Sequence, residues 1–125
     1  MARKQSEGDE VIESWLQQFQ HYWVNHDIDG IISLFSDDVT YWETPHKKLN
    51  SVYEITNEWT AIKNQFDIRL NTSIYSKHNN RYTVHWDLFY TNESHDEKHW
   101  KGVYLIELNE SDKCTYFYQV GEPQP

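Results

Sequence analysis

Asp27-Ile28-Asp29-Gly30-Ile31-Ile32-Ser33-Leu34-Phe35-Ser36-Asp37-Asp38-Val39-Thr40-Tyr41 is the stretch that orders everything around it. Asp27 is placed to cap a short helix carrying Ile28, Ile31, Ile32 and the Leu34–Phe35 pair. Ser36-Asp37-Asp38 reads as a polar turn. Val39 to Glu43 then turns β-branched and aromatic, which favours a strand. Thr44-Pro45 closes that strand, because proline has no amide hydrogen to give a ladder. Upstream, Val11, Ile12, Trp15, Leu16, Phe19, Tyr22, Trp23 and His26 recur at spacings of three and four. That is an amphipathic helix of about four turns, with Asp9 or Ser6 as its cap and a loose charged arm over residues 1–8. Downstream, Asn50 or Ser51 starts a third helix whose stripe is Val52, Ile55, Trp59 and Ile62.

The second half reads as sheet. Strands are expected over Phe66–Ser76, Arg81–Thr91, Trp100–Leu108 and Cys114–Val120. His78-Asn79-Asn80 is a turn, Asn92–Lys98 a charged hairpin loop, and residues 121–125 a tail. Helices first and a four-stranded meander after is an α+β arrangement. No repeat or linker divides it, so one domain is expected over residues 1–125.

Composition limits what the chain can do. Its 125 residues include twenty acidic and eleven basic side chains, a net charge of −9. Such a chain repels a phosphate backbone and an anionic membrane, so neither nucleic acid nor membrane is an expected partner. Six Trp and nine Tyr supply buried area that an apolar fraction of 38% would otherwise lack. Cys114 is the one cysteine, which excludes an internal disulfide and a thiolate cluster. The first ten residues lack an apolar signal core, and no run reaches the ~18 apolar residues of a span, so a cytoplasmic location is expected. His95 and His99 are four apart, but they fall in the hairpin loop without a third ligand, so no metal is expected. There is no glycine-rich phosphate loop, serine elbow or reactive-cysteine context.

The run Asp27–Tyr41, the strand exit Tyr41-Trp42-Glu43-Thr44-Pro45, and the closing pair Trp100-Lys101-Gly102-Val103-Tyr104 and Cys114–Gln119 resemble the nuclear transport factor 2-like, or SnoaL-like, superfamily. The resemblance covers roughly residues 10 to 120. It implies a cone: N-terminal helices packed on a curved, mostly antiparallel sheet that encloses a pocket. It leaves function open, because the fold hosts isomerases, cyclases, epoxide hydrolases, dehydratases and binders. Where ketosteroid isomerases keep their base, this chain has Glu43; where they keep an oxyanion pair, it has Phe19 and Tyr104, and Phe19 cannot donate. Where limonene-epoxide hydrolases keep Tyr and Asn, it has Tyr41 and Glu43. Their Arg-x-Asp falls on His85-Trp86-Asp87, and their last-strand Asp on Gln119.

Matched to that superfamily, alternation puts Val39, Tyr41 and Glu43, then His85, Asp87 and Phe89, then Gly102, Tyr104 and Ile106, then Phe117 and Gln119 on the concave face. Glu43, His85 and Asp87 are the catalytic candidates. A desolvated Glu43 suits a general base, and a histidine beside a carboxylate suits acid–base exchange near neutrality. Phe19, Tyr41, Trp59, Tyr104, Phe117 and Gln119 are the expected substrate-binding lining. The other face would hold Val84, Trp86, Leu88, Tyr90, Tyr116, Tyr118 and Val120. That set is apolar enough to predict a homodimer through the sheet. A one-residue change of register would instead turn Trp86 and Leu88 inward and leave His85 and Asp87 in solvent. The functional expectation is a cofactor-independent isomerase, lyase or hydrolase that moves a proton on a small, mostly apolar substrate. The alternative is a noncatalytic ligand-binding or dimerising module.

Overall fold

The computed structural model describes residues 5–125, with side chains from residue 10 onward. Helix α1 runs Gln5–Val24 and buries Ile12, Trp15, Leu16, Phe19 and Trp23 along one stripe. The chain is already helical at Gln5, so residues 5–8 are not an arm and Ser6 and Asp9 lie inside the helix; the rest of the expected arm and both capping side chains lie outside the described residues. At its end His26 takes a left-handed φ of 57° and its Nε2 donates to the Gln65 carbonyl at 2.6 Å. Trp23 Nε1 donates to Gln65 Oε1 at 2.8 Å, so one residue anchors the end of the helix twice.

Asp27 accepts from the Gly30 amide at 2.9 Å and caps α2, Ile28–Ile32. Strand β1 is Phe35–Thr44 and β2 is Lys47–Leu49. Ser36-Asp37-Asp38 belongs to β1 rather than to a free turn, although the ladder to the last strand slips between Phe35 and Thr40. The acidic residues therefore bulge outward while Phe35 and Tyr41 both stay buried. Ser51 caps α3, Val52–Trp59, by accepting from the Glu54 amide, and the Glu54 carboxylate reaches back to the Asn50 amide. A 3₁₀ turn, Thr60–Asn64, leads to β3, Phe66–His78.

Strands β4, Arg81–Thr91, β5, Glu97–Leu108, and β6, Cys114–Pro123, complete one six-stranded sheet of order β2-β1-β6-β5-β4-β3. The β1–β6 pair is parallel and the rest antiparallel. The hairpin loop is shorter than its charged composition suggested. Thr91 pairs with Glu97, and the Asn92 side chain closes the turn by accepting from the Ser94 and Asp96 amides. His99 accordingly sits in β5. Gly121, Glu122 and Pro123 are strand, not tail, facing Gly102, Lys101 and Trp100.

The helices pack on the curved, open sheet around a core in which ten aromatic side chains are interleaved with aliphatic ones. At one end Trp15 stacks on Phe19 at 5.1 Å and meets Phe35 edge-on at 5.7 Å. At the other, Trp23 meets Trp59 edge-on at 4.8 Å. Edge-to-face contacts of this kind add to the burial term. Among the described residues no helix is long and apolar enough to cross a membrane.

Candidate functional site

The register of β4 decides which side chains can share a site. Val84 lies opposite Tyr104, Trp86 opposite Gly102, and Leu88 opposite Trp100, and all of that set faces the helices. Tyr82, Val84, Trp86 and Leu88 are buried, whereas His85 is exposed. The concave placement expected for His85, Asp87 and Phe89 is thus corrected by one residue. The reason is energetic: four large apolar side chains enter the core in place of a histidine and a carboxylate that would need partners there. His85 stacks on Tyr75 at 5.1 Å, and Asp87 meets His99 at 3.0 Å and Lys101 at 3.6 Å, all on the convex face. The same register removes Val84, Trp86, Leu88 and Tyr90 from any sheet-to-sheet interface.

Glu43, two residues beyond Tyr41, stands on the concave side of β1. Gln119 Nε2 donates to its Oε1 and to its main-chain oxygen, each at 3.3 Å. Trp59 Nε1 donates to the Tyr41 hydroxyl at 3.0 Å, and that hydroxyl hydrogen-bonds onward to the Glu43 carboxylate. Burial pushes the Glu43 carboxyl up to about 7, and the neighbouring Glu58 adds to the rise. Hydrogen bonds from Tyr41 and Gln119 and the charge of Lys47 oppose it without cancelling it. Burial also holds the Tyr41 and Tyr104 hydroxyls well above their ordinary range, with Glu43 adding to both. Both phenols therefore stay protonated and can only donate to an anion.

Beside Glu43 lies a cavity of about 240 Å³ walled by Trp23, Trp59, Trp86 and Trp100, with Glu43 and Glu58 as its charged lining. It opens toward a wider cleft of about 930 Å³ where β1 leaves the sheet at Thr44-Pro45 and β6 runs on toward Glu122 without a partner on that side. Trp86 reaches this position because Gly102 and Gly121 face each other beneath its indole. A Cβ on Gly121 would lie 2.4 Å from Trp86 Cζ2, and one on Gly102 2.5 Å from the same atom and 1.9 Å from the Val120 carbonyl oxygen. Two buried donors in this region have no acceptor: Trp86 Nε1 and the Tyr104 hydroxyl. Their rings stack at 5.3 Å. Each such group costs about 1–3 kcal/mol; Trp86 lines the cavity, so an acceptor bound there would find a ready donor in its Nε1, whereas Tyr104 lies beneath the lining.

The expected lining separates into two layers. Trp59 and Gln119 bound the cavity with Glu43. Phe19, Tyr41, Tyr104 and Phe117 are fully buried under it and pack on one another, with Phe117 5.0 Å from Tyr41 and 5.1 Å from Tyr104. Trp23, Glu58, Trp86 and Trp100 line the cavity without having been singled out from sequence. For Trp86 a signal existed, the unbroken apolar alternation of β4. For Glu58, beside Trp59 near the end of α3, none did.

No protein-family profile and no curated protein matches the chain. Solved structures do. A nuclear transport factor 2-like protein of unknown function from Exiguobacterium sp. 255-15 superposes with a TM-score of 0.71 at 16% identity, over 90% of this chain and 98% of that one. Δ5-3-ketosteroid isomerase from Mycobacterium sp. gives 0.75 at 12% identity, over 91% and 98%. An epoxide hydrolase from M. tuberculosis gives 0.70 at 11% identity, over 93% and 85%. Likeness at these identities speaks to fold and not to activity. Helices packed on a curved mixed sheet, together with these superpositions, show that the chain has the nuclear transport factor 2-like, or SnoaL-like, fold.

Proposed function

We propose that the chain is a small-molecule pocket protein in which Glu43 moves a proton on a small, mostly apolar substrate, as a cofactor-independent isomerase, lyase or hydrolase. One observation carries this reading: a carboxyl brought to about 7 by burial stands in an aromatic-walled cavity beside protonated tyrosines. At neutrality such a group is present in both protonation states, the condition a general acid–base catalyst needs. Tyr41 steadies the carboxylate, and the unpartnered Trp86 N–H at the cavity wall is a donor for negative charge that develops on an oxygen. The side chains of His85 and Asp87 leave the sheet on the face opposite Glu43; they border the wider cleft that Glu43 also borders but not the smaller cavity, and this reading gives them no proton-transfer step.

Carbon-13 NMR titration of the glutamate carboxyls tests the base. A Glu43 midpoint near 7 is expected, and an ordinary value would remove it from the role. Small apolar ketones incubated with the protein in D2O should exchange their acidic C–H protons, and the Glu43→Gln protein should not catalyse that exchange. Exchange that survives the substitution would assign the chemistry elsewhere. A second reading, binding without turnover, is favoured by the full burial of Phe19 and Tyr104 beneath the cavity lining, which leaves Trp86 as the one unpartnered donor at the cavity wall among the described residues. We also propose a homodimer through the convex face, where Trp42, Leu105, Tyr116, Tyr118 and Val120 are all partly exposed. Sedimentation showing a monomer at tens of micromolar, a concentration at which an ordinary dimer is associated, would exclude it.

A further inference from the structure

We propose that the cavity beside Glu43 takes a small organic cation that carries an oxygen: an apolar body with a protonated or quaternised nitrogen and an acceptor group. The inference rests on the reading of this cavity as the functional site and adds to it the class of ligand. Three observations support it. The walls include four indoles, Trp23, Trp59, Trp86 and Trp100, and aromatic walls of this kind attract a cation through their ring quadrupoles. The charged groups that line the cavity are both carboxylates, Glu43 and Glu58, and among the described residues no lysine, arginine or histidine lines it. Trp86 Nε1, on a residue only 5% exposed, has no acceptor of its own, so it can donate to a ligand oxygen.

Alternatives fit less well. An anion would add a third negative charge to two that already repel. A neutral apolar molecule would leave that repulsion in place and shield it from water. Lys47 offsets part of the charge on Glu58 at 3.0 Å, but its side chain is 55% exposed and it stands outside the lining. The groups that face Glu43 are Glu58 from α3, Lys47 from β2, Tyr41 on its own strand, Tyr104 from β5 and the neutral Gln119 from β6. Glu43 changes charge near neutrality, so cation binding and loss of its proton are coupled: each favours the other.

The probes are choline and its neutral carbon isostere 3,3-dimethylbutan-1-ol, which share a shape and a hydroxyl and differ by one charge. Binding is followed by tryptophan fluorescence and by the indole N–H signals in NMR. Choline should bind at least about tenfold more tightly than the isostere at pH 8. That preference should fall by about tenfold at pH 6, where Glu43 is mostly protonated. Glu58→Gln should reduce the preference at both pH values, and Glu43→Gln should abolish its pH dependence. Equal or tighter binding of the isostere at pH 8, a preference untouched by both substitutions, or no binding of either probe would overturn the inference. The Glu43 titration midpoint separates the two failures. A midpoint near 7 with no cation preference leaves the proton-transfer reading standing, and an ordinary midpoint removes both.

Discussion

Replacing Glu43 by glutamine should make the protein more stable, most of all at neutral and alkaline pH. The carboxyl rises from an ordinary 4.5 to about 7 on folding. At about 1.36 kcal/mol per unit that is on the order of 3 kcal/mol. The sign follows from proton linkage: the folded state binds this proton more tightly than the unfolded chain. Stability from this group is complete below about pH 4.5, falls as pH rises through 7, and stays low above it. Glutamine keeps the shape and can still accept from Tyr41, but it has no charge to desolvate. The stability difference between variant and wild type should therefore grow from about 1 kcal/mol at pH 5 to about 3 kcal/mol at pH 8, a change of about 2–3 kcal/mol across that range. With an unfolding entropy of about 2.1 cal/mol/K per residue, this corresponds to a Tm gain of about 10 °C for a chain of this length. Urea unfolding at pH 5, 6, 7 and 8 measures it, with a constant m-value as the control on the unfolded state. Two curves that run parallel across that range would refute the reasoning, because a solvated carboxylate produces no such divergence.

Three further substitutions probe the same frame. Tyr104→Phe removes an unpartnered buried hydroxyl and should raise stability by about 1 kcal/mol while weakening any ligand whose oxygen accepts from it; thermal melts and ligand titrations read the two effects separately. Gly102→Ala should cost about 2–3 kcal/mol by overpacking and shift tryptophan emission as Trp86 is displaced; an unchanged melt would show that the strand accommodates a Cβ. Asp87→Asn breaks a convex-face contact with His99 and Lys101 and should cost less than about 1 kcal/mol. It should leave the Glu43 midpoint where it is, and a moved midpoint would mean that the two faces are coupled after all.

How far the residues alone disclosed this structure depended on which physical signal carried each part. The stripe of α1 and the caps at Asp27 and Ser51 were legible because helix period and capping chemistry are local. Lys47–Leu49 was not, since a three-residue strand after a proline has too little pattern to separate it from a loop. Glu97, Lys98 and His99 read as loop from their polar side chains. A ladder, however, is made by the backbone, and a strand end with partly solvated side chains can be polar. The misplacement of His85 and Asp87 teaches the most. Tyr82, Val84, Trp86, Leu88 and Tyr90 alternate without interruption, and this pattern alone pointed the right way. The superfamily's Arg-x-Asp register points the other way, but this chain has His85 where that register keeps its Arg, so it does not hold here. Glu43 was placed by the strand it ends, whereas Glu58 became part of the cavity only through the packing of α3, which no local pattern encodes.

The indole of Trp86 and the bare backbone at Gly102 and Gly121 divide one fixed volume among three strands. Bulk can be moved among these positions but not added to them. A protein in which residue 86 is made small and residue 121 is made large would keep the core filled and shift the cavity's wall from β4 to β6, presenting an aliphatic surface where an indole now stands. Cavity shape in this molecule is thus a matter of allocation between neighbouring strands, and ligand preference could be altered by exchange across the sheet without changing Glu43 or the hydrogen bonds that hold it.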